Sequence, residues 1–223
     1  MGVFVLSDFA PPIITFIIGK IMLNPNKDKK GNYFSAMRVA YVGVFCALSF
    51  VLYLLDFPLL PAVPFLKFDF SNVLVTIAGF ALGPVSAVIV LVIKELLHAL
   101  TLGQTFFVGE LANVLLTLPY VLITSLAYQK SKTIKTAVLS LSVGSVAQTA
   151  VSFPISWLIT FPVYMQVFAD MAWADGMAFY LSVWYWGILF NVIKTVIISA
   201  CVLLLYKHVS NLIKFINKKF GRE

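Results

Sequence analysis

Residues 72–101 read NVLVTIAGFALGPVSAVIVLVIKELLHALT, and whether they form one helix or two decides the topology of the whole chain. The stretch is apolar nearly throughout and is interrupted at Gly79 and at Gly83-Pro84. The charges elsewhere choose between the two readings. Of the 16 lysines and arginines, thirteen fall in three short polar segments: Lys20 to Arg38, Lys130 to Lys135, and Lys207 to Arg222. Residues 161–182 carry Asp170 and Asp175 and no cation. Cytoplasmic loops of membrane proteins are enriched in Lys and Arg. A single helix over 72–101 would send the second and third clusters outward, whereas two helices turning at Gly83-Pro84 keep all three inside. The charge rule therefore predicts two, over roughly 69–82 and 84–100.

Composition sets the class. Apolar residues make up 61% of the 223 and charged residues only 11%, far from the globular averages of about half and a quarter. This describes a polytopic membrane protein, and a net charge of +7 confined to the polar segments points to anionic lipid rather than nucleic acid. The remaining spans read as Val39–Leu55, about 108–128, about 137–160 and about 183–206. The expected fold is all-α, with six transmembrane helices and both termini cytoplasmic. Residues 1–35 read as an extension that is interfacial in part and lacks the basic start of a signal peptide. Residues 36–208 form the membrane domain, and 209–223 a basic tail.

Topology accounts for every cation except Lys67, Lys94 and Lys194. Lys194 lies in the middle of VWYWGILFNVIKTVIISACVLLLY, residues 183–206. A lysine there costs about 2.5–3.5 kcal/mol on insertion scales. Asn191 lies three residues earlier, on the same helix face. Together they point to a polar ligand held at mid-depth; the alternative is that Lys194 pairs with Glu95 or Glu110.

Other candidates fall into the same region. The loop 56–71, DFPLLPAVPFLKFDFS, is rich in apolar residues (Phe57, Phe65, Leu66, Phe68, Phe70) and stiffened by prolines. Exposed apolar loops are unfavourable, so it should fold back as a lid over a ligand or as a plug. Lys67 and Asp69 either orient a ligand or pair with each other. Lys94, Glu95 and His98 lie within one turn, and mutual neutralisation suits the first two. Glu110 and Asn113 share a face of the fourth span, and Gln148 and Ser156 are polar positions on the fifth. Ala36, Ala40, Gly43 and Ala47 give the first helix a small-residue stripe that lets another helix approach closely, within this chain or from a partner. Cys46 and Cys201 sit in apolar spans. No phosphate loop, nucleophile elbow or zinc-protease motif is present. Neither catalytic residues nor a metal site is expected.

The stretch FPLLPAVPFLKFDFSNVLVTIAGFALGP (57–84), with LKFDFS at 66–71 and the Gly83-Pro84 turn, resembles the riboflavin-binding substrate component of energy-coupling factor transporters. Ile93-Lys94, GELAN at 109–113, Pro162-Val-Tyr164 and FNVIK at 190–194 extend the likeness in the right order over most of 36–206. The chain departs from the family at 71–74, Ser-Asn-Val-Leu, and at Ser156, where asparagine is common. The resemblance implies a six-helix subunit of the bacterial plasma membrane that captures riboflavin or FMN as transported ligand, not as catalytic cofactor. Its partners would be a transmembrane coupling protein and two ATP-binding subunits, with membrane lipid around it. Asn191 and Lys194 become flavin hydrogen-bond donors, 57–69 the lid, and Ala40, Gly43 and Ala47 the docking face. From the residues themselves, a self-sufficient carrier using Glu95 or Glu110 as proton site stays open beside this.

Overall fold

The computed structural model describes residues 36–61, 66–101, 107–160, 162 and 176–219. Phe65, the 1–35 extension, and Val163 and Tyr164 of the Pro162-Val-Tyr164 motif lie outside the described residues. Six α-helices are described: α1 (Ala36–Tyr53), α2 (Ser71–Leu82), α3 (Pro84–Thr101), α4 (Val108–Lys130), α5 (Ile134–Ile155) and α6 (Gly176–Lys219). Among the described residues, four stretches are long and apolar enough to cross a bilayer: Pro84–Thr101, Val108–Lys130, Ile134–Leu158 and Trp184–Tyr206. The apolar parts of the other two helices, Arg38–Tyr53 and Ser71–Leu82, are shorter.

The stretch 72–101 is two helices. Gly83 turns between them at φ 96°, ψ 174°, a left-handed φ that glycine adopts without a Cβ penalty. Pro84 then opens α3, at the first helical position, where its missing N–H is not needed. The carbonyls at the end of α2 are satisfied from three directions. The Gly83 N–H donates to Gly79 O (3.0 Å), Arg38 Nη2 to Leu82 O (2.7 Å), and Gln129 Nε2 to Phe80 O (2.8 Å).

α2 is the centre of the molecule. Every residue of it except Leu74 is buried, enclosed by α1, α3, α4 and α6. Its 12 residues rise only about 18 Å, well short of a hydrocarbon core of about 30 Å. So short a helix is tolerated at membrane depth where protein encloses it. Close approach depends on small residues. A Cβ on Gly79 would lie 2.0 Å from Ser125 Oγ of α4, and one on Gly144 of α5 would lie 2.8 Å from Thr124 Cγ2.

The 56–71 loop folds back as a two-stranded antiparallel hairpin, Phe57–Pro58 against Lys67–Phe68. Phe68 is fully buried and meets Phe70 edge-on at 5.0 Å and Phe57 at 5.6 Å. The fifth span differs from a plain helix. It leaves α geometry after Pro154 for a π turn over Ser156–Thr160; proline supplies no N–H to the ladder, and π turns are often found at functional sites. The sixth helix does not stop at Tyr206 but continues to Lys219.

Candidate functional site

Where the hairpin meets the start of α2, four ionic side chains are almost wholly buried. Asp69, Lys94, Glu95 and Lys194 are exposed by 1%, 0%, 2% and 4%. Each isolated ion would lose several kcal/mol on leaving water, so their partners decide whether the arrangement stands. Asp69, just before α2, accepts hydrogen bonds from the Ser71 backbone N–H (2.8 Å) and from the Ser71 hydroxyl. A carboxylate at a helix N-terminus also gains from the helix dipole. Burial opposes ionisation of Asp69, but the charges of Lys94 and Lys194 and the two Ser71 hydrogen bonds outweigh it. Its carboxyl is held below the ordinary value of 3.8.

Lys94 spends all its capacity locally. Its Nζ donates to Ser71 Oγ (2.7 Å) and to Glu95 Oε1 (2.7 Å), and lies 4.5 Å from the centroid of the Tyr53 ring. Glu95 is equally engaged: Oε1 also accepts from Asn113 Nδ2, and Oε2 accepts from the Tyr53 hydroxyl (3.0 Å). The Lys94–Glu95 neutralisation read from the sequence is therefore present.

Lys194 differs. It donates to Asn113 Oδ1 at 2.8 Å, and among the described residues no carboxylate lies within ion-pair distance of it. An ammonium has three donors, so two make no hydrogen bond among the described residues, the Phe190 ring centroid lying 5.9 Å away. Asn191 is turned elsewhere: its Nδ2 donates to Gly187 O of its own helix (2.9 Å), and its Oδ1 accepts from Gln148 Nε2 (3.4 Å). Both lie on the buried side of α6, Asn191 at 6% exposure. Ser156, 4% exposed, sits in the π turn.

Two further sequence candidates are engaged in ion pairs of their own. Glu110 pairs with His98 Nδ1 at 2.9 Å, and His98 stacks on Tyr53 at 3.9 Å; Glu110 is thus bonded across to α3 rather than to Asn191. Lys67 pairs with Asp56 (3.2 Å), not with Asp69, because the hairpin register sets Lys67 opposite Pro58, beside the Asp56 end of the first strand. Phe57 is 41% exposed, and Leu66 packs against the core. On α1, Ala40, Gly43 and Ala47 are exposed, and a Cβ on Gly43 would meet nothing within 4 Å. Ala36 opens that helix.

The family profile described as "ECF transporter, substrate-specific component" matches residues 37–206. The chain belongs to that family. A relative named Riboflavin transporter RibU, from Staphylococcus aureus (strain TCH60), is 30% identical over 85% of this chain and 98% of its own length. One named Riboflavin transporter FmnP, from Bacillus subtilis (strain 168), is 29% identical over 76% of this chain and 90% of its own. A solved structure titled "Structure and mechanism of the S component of a bacterial ECF transporter" superposes with a TM-score of 0.67 at 28% identity, covering 80% of this chain and 98% of that one. This ECF substrate-specific component is thus a multi-pass protein of the bacterial plasma membrane and a transport component rather than an enzyme.

Tyr53 and Ser71 are parts of the polar cluster that sequence reasoning missed. Tyr53 closes α1 amid apolar neighbours, and an interfacial tyrosine gives the same pattern. Ser71 closes LKFDFS, where the charges of Lys67 and Asp69 and the apolar side chains carry the reading and a serine gives no signal of its own.

Proposed function

We propose that this chain is the riboflavin-binding subunit of an ATP-driven ECF importer, and that it captures the vitamin between the hairpin and helices α4 to α6. The observation that carries the reading is Lys194: a buried ammonium with two donors unspent among the described residues, beside Asn113, Asn191 and Gln148. A flavin ring edge offers carbonyl and imine acceptors, and the ribityl chain offers hydroxyls that both donate and accept. Small-molecule sites are mostly apolar with a few placed polar groups, as here. Lys194 and Asn191 donate to the ligand, with Asn113, Gln148 and Ser156 supplying further polar edges. The hairpin, with Phe57, Leu66 and Asp69, covers it, and Lys67 lies on its outer side.

The names of the relatives support riboflavin as ligand, with FMN as a second flavin to be titrated. The three basic segments support cytoplasmic termini and an outward-facing site. Residues 1–35 stand as an extension, 36–208 as the binding domain and 209–223 as the tail. The exposed Ala40, Gly43 and Ala47, with Ala36 at the head of their helix, support docking of a transmembrane coupling protein and, through it, two ATP-binding subunits. Glu95 and Glu110, which a self-sufficient carrier would use as proton sites, are bonded to Lys94 and His98.

The test is purification followed by an absorbance scan and a riboflavin titration. Copurified flavin or binding tighter than micromolar supports the reading; neither would sink it. Lys194→Met should weaken binding by about 10- to 100-fold, the value of hydrogen bonds from a charged donor, while the empty protein stays folded. Uptake by vesicles containing this chain without ATPase partners would favour the carrier instead.

A further inference from the structure

The amide of Asn113 has two ends that look the same in size and opposite in chemistry. Its Nδ2 faces Glu95 Oε1 and its Oδ1 faces Lys194 Nζ. Rotated by half a turn, the amide would present its NH2 to the ammonium and its carbonyl to the carboxylate, losing both hydrogen bonds to like-with-like contacts. One orientation is therefore enforced, and the anion at Glu95 enforces it from the side away from Lys194. Glu95 is in turn held by Lys94 at 2.7 Å and Tyr53 at 3.0 Å, and Lys94 by Ser71 at 2.7 Å.

We propose that Glu95 is a positioning residue for ligand capture. By fixing the Asn113 amide, it ties one N–H of the Lys194 ammonium and directs the other two into the site. This rests on the ligand site proposed above, because Glu95 itself is spent on Lys94, Tyr53 and Asn113. Neutralising Lys94 requires only some carboxylate nearby. Orienting Asn113 requires an acceptor at Oε1. The two roles separate experimentally.

Two charge-balanced double variants differ in the polar group at residue 95: Lys94→Met with Glu95→Gln keeps an oxygen for Asn113, and Lys94→Met with Glu95→Met removes it, together with the acceptor of the Tyr53 hydroxyl. Riboflavin titration should find the first binding about tenfold tighter than the second, within the range of coupling between residues of one network. The methionine double should melt lower, because Asn113 and Tyr53 lose their acceptors, and both ligand-free proteins should be folded at the titration temperature. Equal affinities of the two folded proteins would overturn the proposal. Should the doubles fail to fold, Tyr53→Phe loosens Glu95 without altering any charge. It should weaken binding by about two- to threefold, at the low end of the same coupling range, and unchanged binding would overturn the proposal. If the wild-type protein binds no riboflavin, the ligand reading falls by itself. The positioning role is then read from the Lys194 Nζ resonance in 15N-lysine NMR, which should differ between the two doubles, or between wild type and Tyr53→Phe; identical resonances would overturn it.

Discussion

The two ends of α2 are built by opposite means. At its Ser71 end, side chains meet side chains: Asp69, Ser71, Lys94, Glu95, Asn113 and Lys194 form one chain of hydrogen bonds contributed by the hairpin and four helices. At its Gly83 end, side chains meet backbone. Arg38 and Gln129 cap helix carbonyls, Phe80 stacks on Tyr128 at 4.1 Å, and glycine lets α4 approach. The second end is close-packed, its helix carbonyls capped by side chains, and among the described residues its one unpartnered hydroxyl, Ser125, is pressed against Gly79 rather than aimed outward. The first retains spare donors on Lys194. The contrast separates the scaffold from the part that has work left to do, and it can be broken at either end.

The largest effect is expected at the ionic end. Lys94→Met leaves Glu95 and Asp69 buried without their nearest cation, and breaking a buried pair by removing one partner costs about 3–5 kcal/mol. Thermal unfolding in detergent should fall sharply, and adding Glu95→Gln should recover most of the loss. No loss from the single change would show that the pair is solvated. Next comes the packed end. Gly79→Ala places a methyl 2.0 Å from Ser125 Oγ, 3.1 Å from Ser125 Cβ and 3.2 Å from Ala87 Cβ, and overpacking of this kind costs about 1–3 kcal/mol. Adding Ser125→Ala should restore part of that. Lower melting with riboflavin affinity intact would mark this end as scaffold; loss of affinity at unchanged stability would break the comparison.

A smaller effect follows from acid. The Asp69 carboxyl is held below its ordinary value of 3.8, so its share of stability is fully present above the unfolded value. That share is lost as pH falls through the lower folded value. Hydrogen exchange at the hairpin backbone should stay slow down to about pH 4, near that ordinary carboxylate value, and rise below it. Asp69→Asn should remove this acid step. A rise already near neutrality would contradict the pairing of Asp69 with Ser71 and Lys94.

The Ser71 end was less legible in the sequence than the Gly83 end, for a physical reason. Gly83-Pro84 announces a turn through backbone chemistry, which is local, so the two-helix reading needed only the chain and its charge clusters. Lys194 and Asn191 were legible because a charge in a long apolar helix is costly wherever it lies. What it bonds to is a matter of tertiary structure, and the sequence offered Glu95 and Glu110 as partners where the fold supplies Asn113. Glu110 shows the same limit. Spacing put it on the face of Asn113, yet His98 of α3 takes it up. The π turn after Pro154 lay within a span that reads as plain helix, since proline signals a break without saying which geometry follows.

Lys67 gives the smallest and most discriminating effect. Its side chain is 39% exposed, and it pairs with Asp56 at 3.2 Å on the outside of the hairpin. Exposed pairs contribute about 0–1 kcal/mol, because water screens the attraction and two flexible side chains must be held still. Lys67→Ala should therefore leave the melting temperature nearly unchanged and riboflavin affinity within about twofold, the limit set by an exposed pair of this size. Lys194, on α6, should by then have shown a loss larger by an order of magnitude. If instead Lys67→Ala weakens binding as much as Lys194→Met, the ligand contacts the outer face of the hairpin. The division between a spent surface pair and an unspent buried ammonium would then be wrong at its most exposed point.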